Sequence, residues 1–197
     1  SMYGDAPDVV VADAGYGSEQ NYEYLEDKEI EAFVKYNYFH QEQKLKGKIK
    51  PEDAFKSQYL FYHEEGDYFI CPMGQKMTKQ RDTNPKTNAG YQYKTSIYQA
   101  RNCLGCPLRG ACHKGKENRI IKYNHNLVRL KSIARKNLLS DPGIAHRRRR
   151  PADVEAVFGN IKQNKKSTRF MLRGKENVLI ETGLLALAHN LAKMAKS

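Results

Sequence analysis

At 197 residues the chain can bury a real core as one domain, or as one domain carrying an insertion. It has no apolar run of about 18 residues and no charged-then-apolar leader, which excludes a transmembrane helix and makes the cytoplasm the expected compartment. Its net charge of +12 is uneven, with 22 Lys and Arg against 6 Asp and Glu in residues 101–197, and 12 against 16 in residues 1–100. A basic half joined to a mildly acidic one points to a phosphate-rich partner, most simply nucleic acid; an anionic membrane is the weaker rival, because the apolar faces of the basic helices look like core.

In chain order, Asp8–Ala12 is a short β-branched run of the kind buried in a parallel or mixed sheet. Asp13 then falls at its carboxyl end, where sheet-based sites are built. Gly15 and Gly17 permit a tight turn, and Ser18 is an N-cap for a helix over 19–28 with Tyr22 and Leu25 on one side. Residues 29–36 alternate and read as a second strand, so 8–36 is a β-α-β unit with an aspartate at its mouth. Residues 37–60 are polar and read as a linker or an excursion from the sheet. From Tyr59 to Tyr123 tyrosines and short alternation dominate. Residues 69–70 are a strand running into a turn, 79–90 a polar loop and 91–98 another strand. Helices return at 126–139, where Leu127, Leu130, Ile133, Ala134 and Leu138 keep helical spacing, with Asp141-Pro142-Gly143 as a break. The helix 176–196 is the most apolar of all and is expected to pack on the sheet or on its helical neighbour.

All four cysteines fall in the tyrosine-rich region, spaced Cys71-x31-Cys103-x2-Cys106-x5-Cys112. Four converging thiolates suit a tetrahedral structural Zn²⁺, and an iron–sulfur cluster is the alternative. Cys71-Pro72-Met73-Gly74 has the form of a zinc knuckle, and His113 could replace a neighbouring ligand. Disulfides are disfavoured in a basic cytosolic chain.

The stretch 146–162 opens with Arg147, Arg148, Arg149 and Arg150 and continues as a helix with Pro151 at its first position and an apolar stripe through Val154, Val157, Phe158 and Ile161. Glu155 and Lys162 project the same way two turns apart. A carboxylate, a cation and upstream arginines on one element suit a polyanion bridged by a metal ion. Asp13 and Glu155 are thus the best candidates for Mg²⁺ or Mn²⁺ ligands; two such ions support in-line phosphoryl transfer, and a third acidic ligand is not evident.

Ala12–Tyr22, the cysteine block, Arg150-x4-Glu155-x2-Phe158-Gly159-x-Ile161-Lys162 and Gly183–Leu191 together resemble the DDE transposases of bacterial insertion sequences, in the branch with a cysteine-bearing insertion. The resemblance implies a partial ribonuclease H-like fold of α+β or α/β class: a β-α-β part in 1–40, a cysteine-bearing β-rich insertion in 41–125, and C-terminal helices in 126–197 that complete the core. It implies an Asp-Asp-Glu triad with Asp13 as second aspartate and Glu155 as glutamate, Lys162 on a DNA-end phosphate, terminal-repeat and target DNA as partners, and a homodimeric parent. The triad's first aspartate lies upstream of Asp13 in that family. On this reading the chain is the carboxyl-terminal part of a transposase and is inactive alone. Pro151 stands where some relatives have arginine, with Arg150 the nearest substitute. The competing readings are a metal-stabilised nucleic-acid-binding module without chemistry, and an iron–sulfur nuclease.

Overall fold

The computed structural model describes residues 7–45, 48–49, 53–150, 159, 161–162 and 169–195. They form a mixed α/β structure in two units, 1–140 and 141–197.

The first unit opens with the expected β-α-β element. Strand β1 (Val9–Ala12) pairs in parallel with β2 (Glu31–Val34), Val9 opposite Glu31 and Ala12 opposite Val34. Helix α1 (Glu19–Asp27) makes the crossover. Ser18 Oγ accepts the Asn21 N–H at 3.2 Å, the capping bond that satisfies one of the helix's first N–H groups. Tyr22 and Leu25 share a face and are buried, and the Tyr22 hydroxyl donates to Val34 O at 3.1 Å, tying helix to strand. Burial pushes the Tyr22 phenol up to about 12, since the phenolate would lose its hydration there.

Helix α2 (Phe39–Leu45) follows, so residues 37–60 are not wholly a linker. Phe39 is fully buried with Phe33, Val34 and Tyr36. A single aromatic among polar neighbours carries the anchor, and periodicity cannot register one residue.

A five-stranded antiparallel meander comes next: β3 (Phe61–His63), β4 (Tyr68–Ile70), β5 (Lys76–Thr83), β6 (Thr95–Ala100) and β7 (Ile120–Tyr123). Two sequence expectations are corrected. Residues 79–83, read as loop, are the second half of β5, and the strand read at 91–98 begins only at Thr95. The register slips between Lys79 and Arg81, and pairing then resumes with Arg81 opposite Ile97 and Thr83 opposite Thr95. A bulge of this kind lets a polar sequence continue along a partner whose own residues are buried, so β6 dictates the extension of β5. Phe69, Met77, Tyr98 and Ile121 form a second core, separate from that of the β-α-β element.

Helix α3 (His125–Leu139) is capped by Asn124, whose Oδ1 accepts the Leu127 N–H at 2.8 Å. Leu130, Ala134 and Leu138, four residues apart, form the buried stripe and join the first core. The helix ends at Ser140, as the Asp-Pro-Gly triplet suggested.

In the second unit, α4 (Asp141–Arg150) starts at that same triplet, Pro142 standing in its first turn where the absent N–H costs nothing. The four arginines are therefore helical themselves, and the helix expected to start at Pro151 lies outside the described residues. Helix α5 (Lys175–Met194) follows Gly174, whose φ of +89° turns the chain into it. Glu181 accepts the N–H groups of Met171 and Leu172 at 2.9 Å each, fastening the preceding segment to the helix. Leu179, Ile180, Leu184, Leu187 and Leu191 of α5 are exposed, and of its two expected partners the Glu155 helix lies outside the described residues. Apolar spacing along a helix marks the face but not what covers it.

Candidate functional site

Parallel pairing of β1 and β2 brings their carboxyl ends to one edge. Asp13 and Lys35 are the residues just past the last paired positions, and there Lys35 Nζ stands 3.4 Å from Asp13 Oδ1. The Asp13 side chain is half exposed and does not cap the short turn 14–16 that follows it. The carboxylate thus stands at the strand edge with a cation beside it. Gly17 explains the local sequence. A Cβ there would lie 2.3 Å from Lys35 O and 3.0 Å from the Tyr22 hydroxyl, so the chain can pass β2 only as glycine. Gly15 has open space around it and carries no such requirement.

Glu155, the second carboxylate expected, lies outside the described residues, as do Pro151 and the stripe positions Val154, Val157 and Phe158. Of the cationic candidates, Arg147 and Arg150 lie one turn apart and are half-buried, while Arg148 and Arg149 are exposed. Consecutive helical residues diverge by about 100°, so four arginines in sequence cannot all reach one phosphate strand. Their place in the last turn of α4 is favourable in itself, since cations there meet the negative end of the helix dipole. Lys162 is exposed.

The four cysteines come together: all line one cavity of about 20 Å³ along with His113 and Arg119, and none is in a disulfide. The side chains are not gathered as ligands, however. Among the described residues no three His, Cys, Asp or Glu form a group able to hold a metal ion.

Sequence reading missed a second polar constellation, between the meander and α3. Asp67, at a φ of +46° in the β3–β4 turn, accepts the hydroxyl of Tyr62 at 2.9 Å and that of Tyr98, and pairs with Lys79 at 3.2 Å. His125 Nε2 lies 2.7 Å from the Tyr98 hydroxyl oxygen. Tyr98 has one proton and gives it to Asp67, so His125 donates from Nε2, which fixes the tautomer. Burial lowers the pKa of His125 and raises that of Tyr98. For Asp67, burial acts upward, but the bonds from Tyr98, Tyr62 and Lys79 outweigh it and hold the carboxyl below its ordinary range. Asp82, bound by Ser96 Oγ at 2.7 Å and by Lys94 and Lys79 at 3.0 and 3.1 Å, is also held low. A cavity of about 330 Å³ opens beside these groups. The α1 carboxylates form a companion network. Glu19 accepts from Asn124 and Asn126 at 2.5 and 2.9 Å, Glu23 from Tyr91 and Asn126 at 2.5 and 2.7 Å, and Glu26 takes both arms of Arg129 at 2.7 Å. Tyrosines and asparagines far apart in sequence gave no local signal for either network.

No curated protein and no solved structure matches the chain. The family model described as "Transposase DDE domain" matches residues 70–195. That span contains the four cysteines, Glu155 and Lys162 and begins downstream of Asp13. With well over half of its length matched, the chain belongs to the transposase DDE domain family.

Proposed function

We propose that this chain supplies the second aspartate and the glutamate of an Asp-Asp-Glu triad, Asp13 and Glu155, in a ribonuclease H-like core with the cysteine-bearing segment as its insertion. The reaction is cleavage of DNA at transposon ends and strand transfer to a target, performed in the bacterial cytoplasm at the nucleoid by a homodimer. The observation that carries the reading is the position of Asp13, at the carboxyl edge of a parallel β-α-β unit with its carboxylate half exposed.

The donor chemistry fits a hard cation. A half-exposed carboxylate at a strand end suits Mg²⁺ or Mn²⁺, and Lys35 beside it supplies a charge that such an ion would replace. When bound, a pair of such ions activates the attacking oxygen and stabilises the leaving one. The chain's own residues do the rest. Asp13 and Glu155 orient, exposed Arg148 and Arg149 with Lys162 neutralise DNA phosphates, and Gly17 lets the Asp13 turn lie against β2. With two of the three carboxylates in hand, the 197-residue chain by itself does not cut DNA.

The test is strand transfer by a transposase that carries this chain together with the first aspartate. Glu155→Gln abolishes transfer and leaves binding to terminal-repeat DNA intact. Loss of binding together with transfer would instead favour the non-catalytic nucleic-acid-binding module. A terminal-repeat duplex nicked by the pure 197-residue chain in Mn²⁺ would refute the incompleteness of its site.

A further inference from the structure

We propose that Cys71, Cys103, Cys106 and Cys112 hold one structural Zn²⁺ and that Arg119 is the buried counter-cation of that centre. This goes beyond the DNA chemistry and does not depend on it.

The backbone is shaped for the metal at two places. Cys71-Pro72-Met73-Gly74 and Cys103-Leu104-Gly105-Cys106 are both tight turns that begin on a cysteine and contain a glycine in the left-handed region, Gly74 at φ +78° and Gly105 at +70°. Each is closed by a bond back to its first cysteine, Gly74 N–H to Cys71 O at 2.8 Å and Cys106 N–H to Cys103 O at 3.4 Å. A Cβ at either glycine would meet nothing within 4 Å, so the requirement is conformational rather than steric. Such turns present backbone N–H groups to sulfur, the setting of a structural zinc site.

Charge is the second argument. Arg119 is only 8% exposed, and no carboxylate partners it among the described residues. Its guanidinium donates instead to Cys112 Sγ at 2.8 Å and to Phe55 O, and its own N–H points to Cys103 Sγ at 3.4 Å. A buried cation without an anion is costly, and four thiolates around one Zn²⁺ supply the net negative charge that removes the cost. Donation to sulfur from outside the ligand set is the usual way in which surrounding residues tune a metal centre.

His113 gives the third. Its Nε2 is buried with no hydrogen-bond partner and lines the same cavity. Buried polar atoms are rarely left so, and those that are call for an unseen partner. The cavity between these side chains, about 20 Å³, is of a size for one ion. The sulfurs as they stand are not gathered, and those of Cys103 and Cys112 are turned toward Arg119. Side-chain rotation on this fixed backbone is what metal binding requires.

The experiment is elemental analysis of the freshly purified 197-residue chain, followed by Co²⁺ exchange and chelator competition. The expected result is one zinc per chain, no visible colour, and a Co²⁺ form with intense sulfur-to-metal charge transfer and tetrahedral bands. Cys106→Ser loses the metal. Arg119→Met stays folded by circular dichroism but binds zinc about 10–100-fold more weakly, and Arg119→Lys recovers part of the loss. Chelation of the unmodified chain, followed by circular dichroism, gives the same answer without a variant: the meander's signal changes as zinc leaves and returns on its re-addition. Four freely reacting thiols with no metal, or iron with visible absorbance, overturn the zinc assignment. Wild-type zinc affinity in Arg119→Met overturns the role of Arg119. Loss of metal in His113→Ala with retention in Cys112→Ser overturns the four-thiolate set. None of these outcomes touches the assignment of Asp13 or Glu155.

Discussion

The β-α-β element with α3 and the five-stranded meander are built on different physics. The first is held by an aliphatic and aromatic stripe (Leu25, Val34, Leu130, Leu138) and by the cooperative geometry of a parallel crossover. The second has few aliphatic residues. Its core is Phe69, Met77, Tyr98 and Ile121, phenol–carboxylate bonds tie β3 and β6 to Asp67 in the β3–β4 turn, and it carries the cysteine cavity. The lesson is one of specification. Hydrophobic stripes set a fold by area and tolerate rearrangement, whereas a buried polar network holds one arrangement and is costly when half made.

Large-to-small substitutions strike the two cores hardest. Phe69→Ala removes a fully buried ring from the meander core and costs about 3–5 kcal/mol, while Leu138→Ala in the other core costs about 2–5 kcal/mol. Denaturant titrations read by a probe in each core test whether the losses stay local. If both variants shift both transitions equally, the two cores are a single cooperative unit and the distinction fails.

Gly17→Ala comes next. Its Cβ would meet Lys35 O at 2.3 Å, so the turn and β2 must move apart at a cost of about 1–3 kcal/mol, visible in the melting of the β-α-β element. Gly15→Ala, with open space around it, leaves stability nearly unchanged. Equal effects from the two substitutions would remove the close-approach argument.

Tyr98→Phe deletes one hydroxyl from the centre of the network and leaves His125 Nε2–H unpartnered and Asp67 short of a donor, a loss of about 1–3 kcal/mol. Acid sensitivity is the smaller companion effect. His125 has a lowered folded pKa, so its contribution is complete above the unfolded value of about 6.5 and declines as pH falls below that value toward the folded one. Asp67, Lys79, Asp82 and Lys94 set the local field around it. Asp67 and Asp82 add a second decline below the unfolded carboxylate value of about 3.9, as pH falls toward their depressed folded values. A stability–pH curve should therefore fall in two stages, and His125→Gln should remove the upper one. A curve flat from pH 7 to 4 would show that His125 is not buried as a neutral ring.

Much of the first region was legible in the sequence because its signals are local. A β-branched run, a Ser N-cap, a second alternating run and the i, i+4 stripe of Leu130, Ala134 and Leu138 each state their structure within a few residues. Asp13 at the strand end was legible for the same reason. The meander was legible only in outline. The second half of β5 is Lys-Gln-Arg-Asp-Thr, a loop by composition, and it becomes a strand because β6 pairs with it across a bulge. Phe39 anchors α2 alone. The Asp67–Tyr98–His125 relay joins residues up to 58 positions apart, and no spacing rule reaches that far. The cysteine spacing announced a cluster, but Arg119 as its companion came only from three dimensions. In the second unit, the arginine run read as a prelude to a helix because Pro151 looked like its start, yet Pro142 had already started one.

The most direct measurement is Mn²⁺ titration of the 197-residue chain, followed by electron paramagnetic resonance, beside Asp13→Asn and Glu155→Gln. The account predicts weak but measurable Mn²⁺ binding by the unmodified chain, reduced at least about tenfold by either substitution with the fold unchanged, because each removes one of two hard oxygen ligands. Equal Mn²⁺ affinity in all three proteins would contradict it and leave Asp13 a turn residue and Glu155 a surface charge.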